Sequence, residues 1–317
     1  MTVHRPCAGG RSKDRSDEPL RRHRHRCGAS GYNTAIRASQ LGLAVACVER
    51  ASHIGGVGIR TGCMPSRLLL HASGIYELAS KGQHAALGIH GTPTLDLAQM
   101  MAYKAATIER MSNQVHALLR KQGVVLIDGS ARLAAAGKVV VDTAGGVRQT
   151  LSGTAIVIAT GSEPIPLPFA AFDHTRILDS ADALSLDQVP RHLAIIGAGA
   201  VGVELGSIWH RLGSRVTLVE RRDRPCHWLD RDIAAALTQS LERQGIDLRL
   251  STDVVGIEKR SDGVALQFRT LASNAIATLD AERVLVAIGR RPSTAGLELA
   301  AGTQQANRRA HSPGGDN

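Results

Sequence analysis

The feature that most constrains this chain is a pattern of three glycines and a glutamate that occurs twice. The first copy comprises Gly28, Gly31, Gly42 and Glu49, and the second comprises Gly199, Gly202, Gly213 and Glu220. In each copy the second glycine lies three positions after the first, the third lies 11 positions further, and the glutamate lies 18 positions after the second glycine. Three coincident spacings indicate a true internal repeat.

The second copy lies in a complete structural context. An apolar strand over 193–196 leads into Gly197, a helix follows, and a second apolar strand over 216–219 ends at Glu220. This is the Rossmann fingerprint: Gly197 permits the tight turn, Gly199 lets the backbone approach a pyrophosphate, and Gly202 lets the helix pack on the sheet. The helix start then holds phosphates.

Glu220 is placed to accept hydrogen bonds from a ribose 2′-OH, which favours NAD. Arg221 and Arg222 follow immediately and keep NADP open. A turn that binds no nucleotide is the alternative for the motif as a whole.

The first copy is interrupted. The position that matches Gly197 is Arg26, and the preceding segment 18–25 is too polar for a buried parallel strand. Arg26 should also crowd a pyrophosphate, because a tight turn there needs glycine. We therefore expect a second nucleotide site that was specified but is damaged.

The remaining pattern predicts an α/β protein with two Rossmann-like units. Its 317 residues suit about two domains at roughly 150 residues each. Further predicted elements are a long amphipathic helix over 98–122, a return strand over 155–159, a helix over 233–245, short strands over 248–250, 254–257 and 264–268, and a return strand over 284–288. The predicted boundaries are an arm over 1–26, domains over 27–168 and 169–289, and a return segment with a tail over 290–317.

Charge and cysteine content exclude other classes. Residues 1–26 hold eight Lys/Arg against three Asp/Glu, half of the net charge of +10. This arm is either a polyanion-binding tail or a solvated, disordered segment. The lack of interleaved aromatics favours disorder and makes nucleic acid an unlikely partner.

Five scattered cysteines without a C-x-x-C pair argue against a zinc ribbon, and we expect no metal. With no signal peptide or membrane-length apolar run, we expect a cytoplasmic protein.

The segment 55–67, GGVGIRTGCMPSR, resembles the redox-active G-G-T-C-x-x-x-G-C-x-P-S-K signature of the FAD/NAD-dependent disulfide reductases, dihydrolipoyl dehydrogenases above all. Similar stretches occur at 69–73, 158–164 and 204–207, and the resemblance runs from Gly28 to about Leu299. It implies FAD on the first unit and NAD on the second, with electrons passing from a dithiol to a cysteine pair, then to flavin, then to NAD.

The resemblance also assigns site residues. For FAD they are Gly28, Gly31, Glu49, Arg67, Thr160, Gly161 and Ser162, and for NAD they are Gly197, Gly199, Gly202, Glu204, Glu220, Val254 and Gly289. The catalytic counterparts are Cys63 and Glu204. The family's substrate is dihydrolipoamide or a lipoyl domain, and its members are homodimers.

Several positions depart from the family. Gly58 stands where the first redox cysteine is expected, so Cys63 has no partner for an intramolecular disulfide. Cys63 is either a reactive thiol at a helix start or a buried one. Arg67 replaces a lysine that pairs with the glutamate at position 204, and a guanidinium is not equivalent to an ammonium.

After Leu299 the family continues into a glycine–aspartate motif and an interface domain that supplies a histidine–glutamate pair. This chain has no counterpart, since His311 lies in a polar tail. We expect the interface domain to be absent, the chain to be a truncated copy, and the protein not to form the family dimer.

Three functions remain open at this stage. The first is a dithiol-oxidising flavoprotein of the dihydrolipoyl type, impaired by Gly58. The second is a residual NAD(H)- and FAD-binding protein with at most NADH:acceptor activity. The third is a nucleic-acid-binding protein that acts through the arm.

Overall fold

The computed structural model describes residues 2–4, 27–51, 53–82, 85, 88 and 90–302. Most of the basic arm, Arg26, the segment 18–25 and the tail after Gly302 lie outside the described residues. The predictions about crowding by Arg26 and about the polar tail concern these residues, so they stay predictions.

The described elements alternate between helices and strands. The first half of the chain contains β1 (Thr2–His4), α1 (Ala29–Gln40), β2 (Val45–Glu49), α2 (Gly56–Arg60), α3 (Cys63–Ser80), α4 (Leu97–Lys121), β3 (Val125–Ala135), β4 (Lys138–Thr143), β5 (Arg148–Ile156) and β6 (Ser162–Pro164). The second half contains β7 (Ile177–Leu178), α5 (Ser180–Ala183), β8 (His192–Ile196), α6 (Ala200–Arg211), β9 (Arg215–Val219), α7 (Arg231–Gln244), β10 (Asp247–Arg249), β11 (Thr252–Lys259), β12 (Val264–Thr270), β13 (Ile276–Ala281), β14 (Arg283–Val286), β15 (Arg290–Pro292) and α8 (Leu299–Gly302).

The chain divides into two compact units that are each discontinuous in sequence. The first unit contains 1–55, 113–161 and 293–317, and the second contains 56–112 and 162–292. This differs from the contiguous domains 27–168 and 169–289 that the sequence suggested. The redox segment belongs to the second unit because α3 packs on α6: Leu69 joins the cluster that contains Leu205 and Ile208, and Arg211 pairs with Glu77 at 3.2 Å.

The first unit is built around β2 and a three-stranded meander. Strand β2 pairs in parallel with the start of β3, and β3, β4 and β5 then pair antiparallel. The short strand β1 pairs antiparallel with both β2 and β5, which closes the sheet. Disorder was expected throughout 1–26, so it is wrong for Thr2–His4, whose backbone occupies the hydrogen-bonding edges of β2 and β5.

The predicted return strand over 155–159 is also wrong. Ala155 and Ile156 end β5, where they pair with β1, and residues 157–160 form no strand. The corresponding strand of the second unit, β14, pairs in parallel with β8. No such parallel first strand lies among the described residues of the first unit.

The second unit has the expected doubly wound core. Its five strands are all parallel, in the order β10-β9-β8-β14-β7. A three-stranded antiparallel sheet, β11-β12-β13, packs its Val264, Leu266 and Phe268 against Ile196 and Val286 of the parallel sheet. The predicted helices and strands of this unit are confirmed with ends shifted by a few residues, and so is the long helix predicted over 98–122, which is α4 and whose last residues belong to the first unit.

Close packing of α6 on the sheet depends on Gly202. A β-carbon at this position would overlap the carbonyl oxygen of Gly197 and lie 3.3 Å from Cγ2 of Ile195. The obstacle is backbone, which cannot turn aside as a flexible side chain can. The spacing argument for this glycine is therefore supported by the packing.

We expect Gly202→Ala to lower the free energy of unfolding by roughly 3 kcal/mol or more, because the helix must move away from the sheet. Chemical denaturation measures this loss. The matched control is Gly74→Ala in α3, where the nearest atom to the new β-carbon is Nη1 of Arg211 at 3.9 Å. That helix-interior change should stabilise the protein by about 0.5–1 kcal/mol. Equal effects of the two substitutions would contradict the packing argument.

Candidate functional site

The turn between β8 and α6 has the geometry that phosphate binding needs. Gly197 adopts a φ of 100°, and its N–H donates to the carbonyl of Val219 at 2.8 Å. Gly199 caps α6 in an extended conformation with φ −75° and ψ −178°. The free N–H groups at the start of α6 therefore face the end of the strand, where a pyrophosphate can accept them.

Glu220 holds this turn closed. Its Oε2 accepts the N–H of buried Ala198 at 2.7 Å, and its Oε1 accepts the N–H of Arg222 at 2.9 Å. A carboxylate that accepts two backbone N–H groups is fixed in orientation. The side chain predicted to recognise a ribose thus also stabilises the loop predicted to bind the phosphates.

An open cavity of about 750 Å³ adjoins the turn, which is within the usual size range of small-molecule sites. Five of the predicted NAD residues line it, namely Gly197, Gly199, Glu220, Val254 and Gly289. Gly202 and Glu204 do not line it: Gly202 packs on the sheet, and Glu204 lies half-buried on α6. Arg221 and Arg222 are also part of the lining, so a 2′-phosphate is not excluded.

Trp228 is a cavity residue that the sequence reading missed. Its side chain is 58% exposed, and its Cη2 lies 3.3 Å from the point where a β-carbon of Gly199 would be. His227 packs edge-on against it at a centroid distance of 5.2 Å. The available signal was that the chain has two tryptophans and that one of them lies eight residues after Glu220.

The first unit repeats this hydrogen bonding at a constant separation of 171 residues. The N–H of Cys27 donates to Oε2 of Glu49, as that of Ala198 donates to Glu220. The N–H of Ala51 donates to Oε1 of Glu49 at 2.9 Å, which matches Arg222. Gly28 caps α1 with φ −82° and ψ −168°, close to the values of Gly199.

The outer end of each loop repeats as well. Gly55 donates its N–H to the carbonyl of Cys27 at 3.1 Å, and Cys226 donates to Ala198 at 2.9 Å. The predicted repeat is thus confirmed as a repeat of backbone geometry. The described part of the first loop, from Cys27 onward, has the same hydrogen bonds and helix-cap conformation as the second.

The space beside the first loop is much smaller. Gly31 and Thr160 line a mostly apolar cavity of about 60 Å³. Glu49 is buried, and Gly161, with φ 72°, accepts the N–H of Ser293 at 2.9 Å. The first loop therefore has the backbone geometry of the second, and the cavity beside it is smaller.

Two residues assigned to FAD belong to the second unit. Arg67 is exposed on α3, and Ser162 lies in β6, where its hydroxyl accepts Nε of Arg290 at 2.8 Å. The structure therefore does not gather the seven predicted FAD residues in one unit. The reason is that the segments 56–112 and 162–292 pack together.

The redox segment is formed by α2 and α3. Gly58 lies within α2, and an added β-carbon would meet no atom within 4 Å. Cys63 begins α3 and is exposed, so the alternative of a buried thiol is wrong. Arg67 and Glu204 form no ion pair among the described residues, so the structure lacks a counterpart of the family's lysine–glutamate pair.

One group of metal-ligand types occurs in the described part of the chain, formed by His174, Asp179 and Asp182. Asp179 and Asp182 form the capping box of α5, and His174 contacts Asp182 at 2.9 Å. Helix capping accounts for these side chains. Separately, none of the described helices combines the length and the apolar character that a membrane span requires.

The loops before α1 and α6 share one backbone geometry, and a helix that begins with Cys63 lies between them in sequence. This arrangement is typical of flavoprotein disulfide reductases, and the comparison with known families agrees. The Pyridine nucleotide-disulphide oxidoreductase family matches residues 27–311, so the chain belongs to this family. Its dihydrolipoyl dehydrogenase members use FAD and NAD.

Among individual relatives, the chain is 50% identical over 272 residues to dihydrolipoyl dehydrogenase 3 of Pseudomonas putida. The aligned residues cover 86% of this chain and 58% of that protein. It is 39% identical to leghemoglobin reductase of Vigna unguiculata, with 86% and 52% covered. The solved structure of LpdA from Mycobacterium tuberculosis superposes with a TM-score of 0.79 at 26% identity, covering 90% of this chain and 61% of that one. The chain thus spans about 58% of the length of its Pseudomonas relative.

We expect Glu220→Ala to weaken NADH binding roughly tenfold, equivalent to about 1.4 kcal/mol, because the N–H of Ala198 loses its acceptor and the loop loses its clamp. Quenching of Trp228 fluorescence on NADH titration measures the affinity. The control is Glu258→Ala on β11, whose side chain is 64% exposed and lies outside the cavity lining. Unchanged affinity in Glu220→Ala would contradict the role assigned to the carboxylate.

Proposed function

We propose that the second unit binds NAD(H) and that the chain is an NADH-oxidising flavoprotein of the dihydrolipoyl dehydrogenase type that does not exchange electrons with dithiols. The observation that carries the first part is the cavity of about 750 Å³ beside the Gly197–Gly199 turn, with Glu220 at its edge. Family membership supports an oxidoreductase.

The nucleotide would be held by complementary groups. The start of α6 offers backbone N–H groups to the pyrophosphate, and Glu220 offers oxygen acceptors to a ribose hydroxyl. Trp228 provides an exposed aromatic surface next to the phosphate loop, on which an aromatic ring of the nucleotide can stack. We propose NAD as the nucleotide, since Glu220 occupies the position from which the motif's carboxylate accepts a ribose 2′-OH.

FAD is proposed for the first unit. Its support is the repeated loop geometry, in which Glu49 holds the N–H of Cys27 and Gly28 caps α1. When bound, a flavin would accept two electrons from NADH and release them to another acceptor. The backbone N–H groups at the start of α1 would orient the pyrophosphate of the FAD.

Gly58 is the reason for excluding the dithiol step. Exchange with a dithiol needs one sulfur to be attacked and another to leave, and position 58 carries none. Cys63 is exposed at the start of α3. A single cysteine can form a mixed disulfide with a substrate but cannot form an intramolecular one.

The visible spectrum of the purified chain with and without NADH tests the proposal. We expect bound flavin absorbance that bleaches when NADH is added without oxygen, and NADH-dependent reduction of a quinone or dye. Fluorescence titration with NADH tests the second unit separately. A colourless protein that still binds NADH would overturn the flavoprotein assignment alone, and failure to bind NADH would overturn the whole proposal.

Restoring the missing sulfur should restore thiol chemistry. We expect Gly58→Cys to form a disulfide with Cys63, because the structure has space for the side chain at that position. Trypsin separates the two sites into peptides 51–60 and 61–67, so a dithiothreitol-sensitive link between them is readily mapped by mass spectrometry.

The matched control is Gly58→Ser, which adds similar volume without sulfur and should behave as the unmodified chain. In the unmodified chain we expect no oxidation of dihydrolipoamide by NAD above background. Turnover of dihydrolipoamide by the unmodified chain would refute the proposal that Gly58 blocks this step.

A further inference from the structure

Two buried cysteines meet in the first unit, away from the redox segment. Cys27 precedes the phosphate loop and Cys47 lies in the middle of β2, and their side chains are 3% and 2% exposed. Their Sγ atoms lie 2.7 Å apart. That separation is within about 0.7 Å of the bonding distance of a disulfide.

The internal repeat shows that this sulfur pair is specific to the first unit. At the separation of 171 residues, Cys27 corresponds to Ala198 and Cys47 to Leu218. Both residues of the second unit are fully buried and apolar. The fold therefore places these two positions in the core without needing sulfur at either.

A small oxidant has space to reach the pair. Cys27 and Cys47 both line the cavity of about 60 Å³ in this unit, together with Gly31. A cavity of this size can hold a water-sized molecule. It is too small for a tripeptide such as glutathione.

We propose that Cys27 and Cys47 form an intramolecular disulfide when the protein meets a peroxide, and that this bond fixes the first phosphate loop to β2. In the first step one thiolate attacks an oxygen of hydrogen peroxide, breaks the O–O bond and becomes a sulfenic acid, with water released after protonation. In the second step the other sulfur attacks the sulfenic sulfur, the S–S bond forms and a second water leaves. Two thiols are oxidised, and one peroxide is reduced to two waters.

The surroundings indicate which sulfur reacts first. The hydrogen bond between the two thiols lowers the pKa of Cys47 and raises that of Cys27. Burial raises the pKa of Cys27 further. The lowered pKa of Cys47 favours it as the attacking sulfur, with Cys27 as the resolving one.

The bond would act on the loop that the first nucleotide site uses. The N–H of Cys27 is held by Glu49, and its carbonyl accepts the N–H of Gly55. A covalent link to β2 would add a third restraint at this residue and enclose α1 within the closed loop. Cross-linking mainly restricts the unfolded chain, so the oxidised protein should melt at a higher temperature.

Peptide mapping of the full chain under non-reducing conditions tests this proposal. Trypsin cuts after Arg26, Arg37 and Arg50, which places Cys27 in peptide 27–37 and Cys47 in peptide 38–50. After hydrogen peroxide treatment we expect these peptides to be recovered mostly as one linked species, which dithiothreitol separates. Oxidised glutathione at the same concentration should produce far less of it.

Three variants complete the test. Cys27→Ser and Cys47→Ser should each abolish the linked peptide and the peroxide-dependent rise in melting temperature, whereas Cys226→Ala, a buried cysteine of the second unit, should retain both. Recovery of Cys47 as sulfinic acid without a link would overturn the proposal, as would preferential linkage of either cysteine to Cys63. If a variant fails to fold, the peptide map of the peroxide-treated unmodified chain still distinguishes the Cys27–Cys47 link from sulfinic acid at Cys47 and from a link to Cys63.

Discussion

The structure depends on one hydrogen bond that occurs in both units. A glutamate at the end of the second strand accepts the backbone N–H of the residue just before the capping glycine: Glu220 accepts Ala198, and Glu49 accepts Cys27. Both N–H groups are buried, so each needs an acceptor. The carboxylate provides it and thereby aligns the start of the helix with the end of the strands. The loop, the helix dipole and the cavity all follow from that alignment.

Much of the second unit was predictable because its signals are local. The apolar runs of β8 and β9, the glycine turn between them and the period of α6 all lie within about thirty residues, as in any βαβ unit. The first unit was harder, since its strands are decided by partners far away in sequence. The pairing of β1 with β5 joins residues about 150 positions apart. A strand of three residues is too short to show a hydrophobic period, so the sequence pattern could not predict this pairing.

The candidate site divides in the same way. Glycine spacing identified Gly197, Gly199 and Glu220, because each is required by the backbone of the turn itself. Trp228 approaches Gly199 from a loop without regular structure, and Cys27 meets Cys47 only when α1 returns the chain to β2. Such encounters depend on tertiary packing. The resemblance also grouped Arg67 and Ser162 with the first unit, whereas packing of α3 on α6 places them in the second.

All the residues that line the larger cavity fall between positions 167 and 289. Occupancy of that cavity is therefore a property of one unit, and it does not require the other nucleotide to be present. If the cavity binds NADH as proposed, a copy that lacked flavin would still bind the reduced coenzyme without oxidising it. Its effect would then scale with its abundance, as for a buffer, and not with turnover, as for a catalyst.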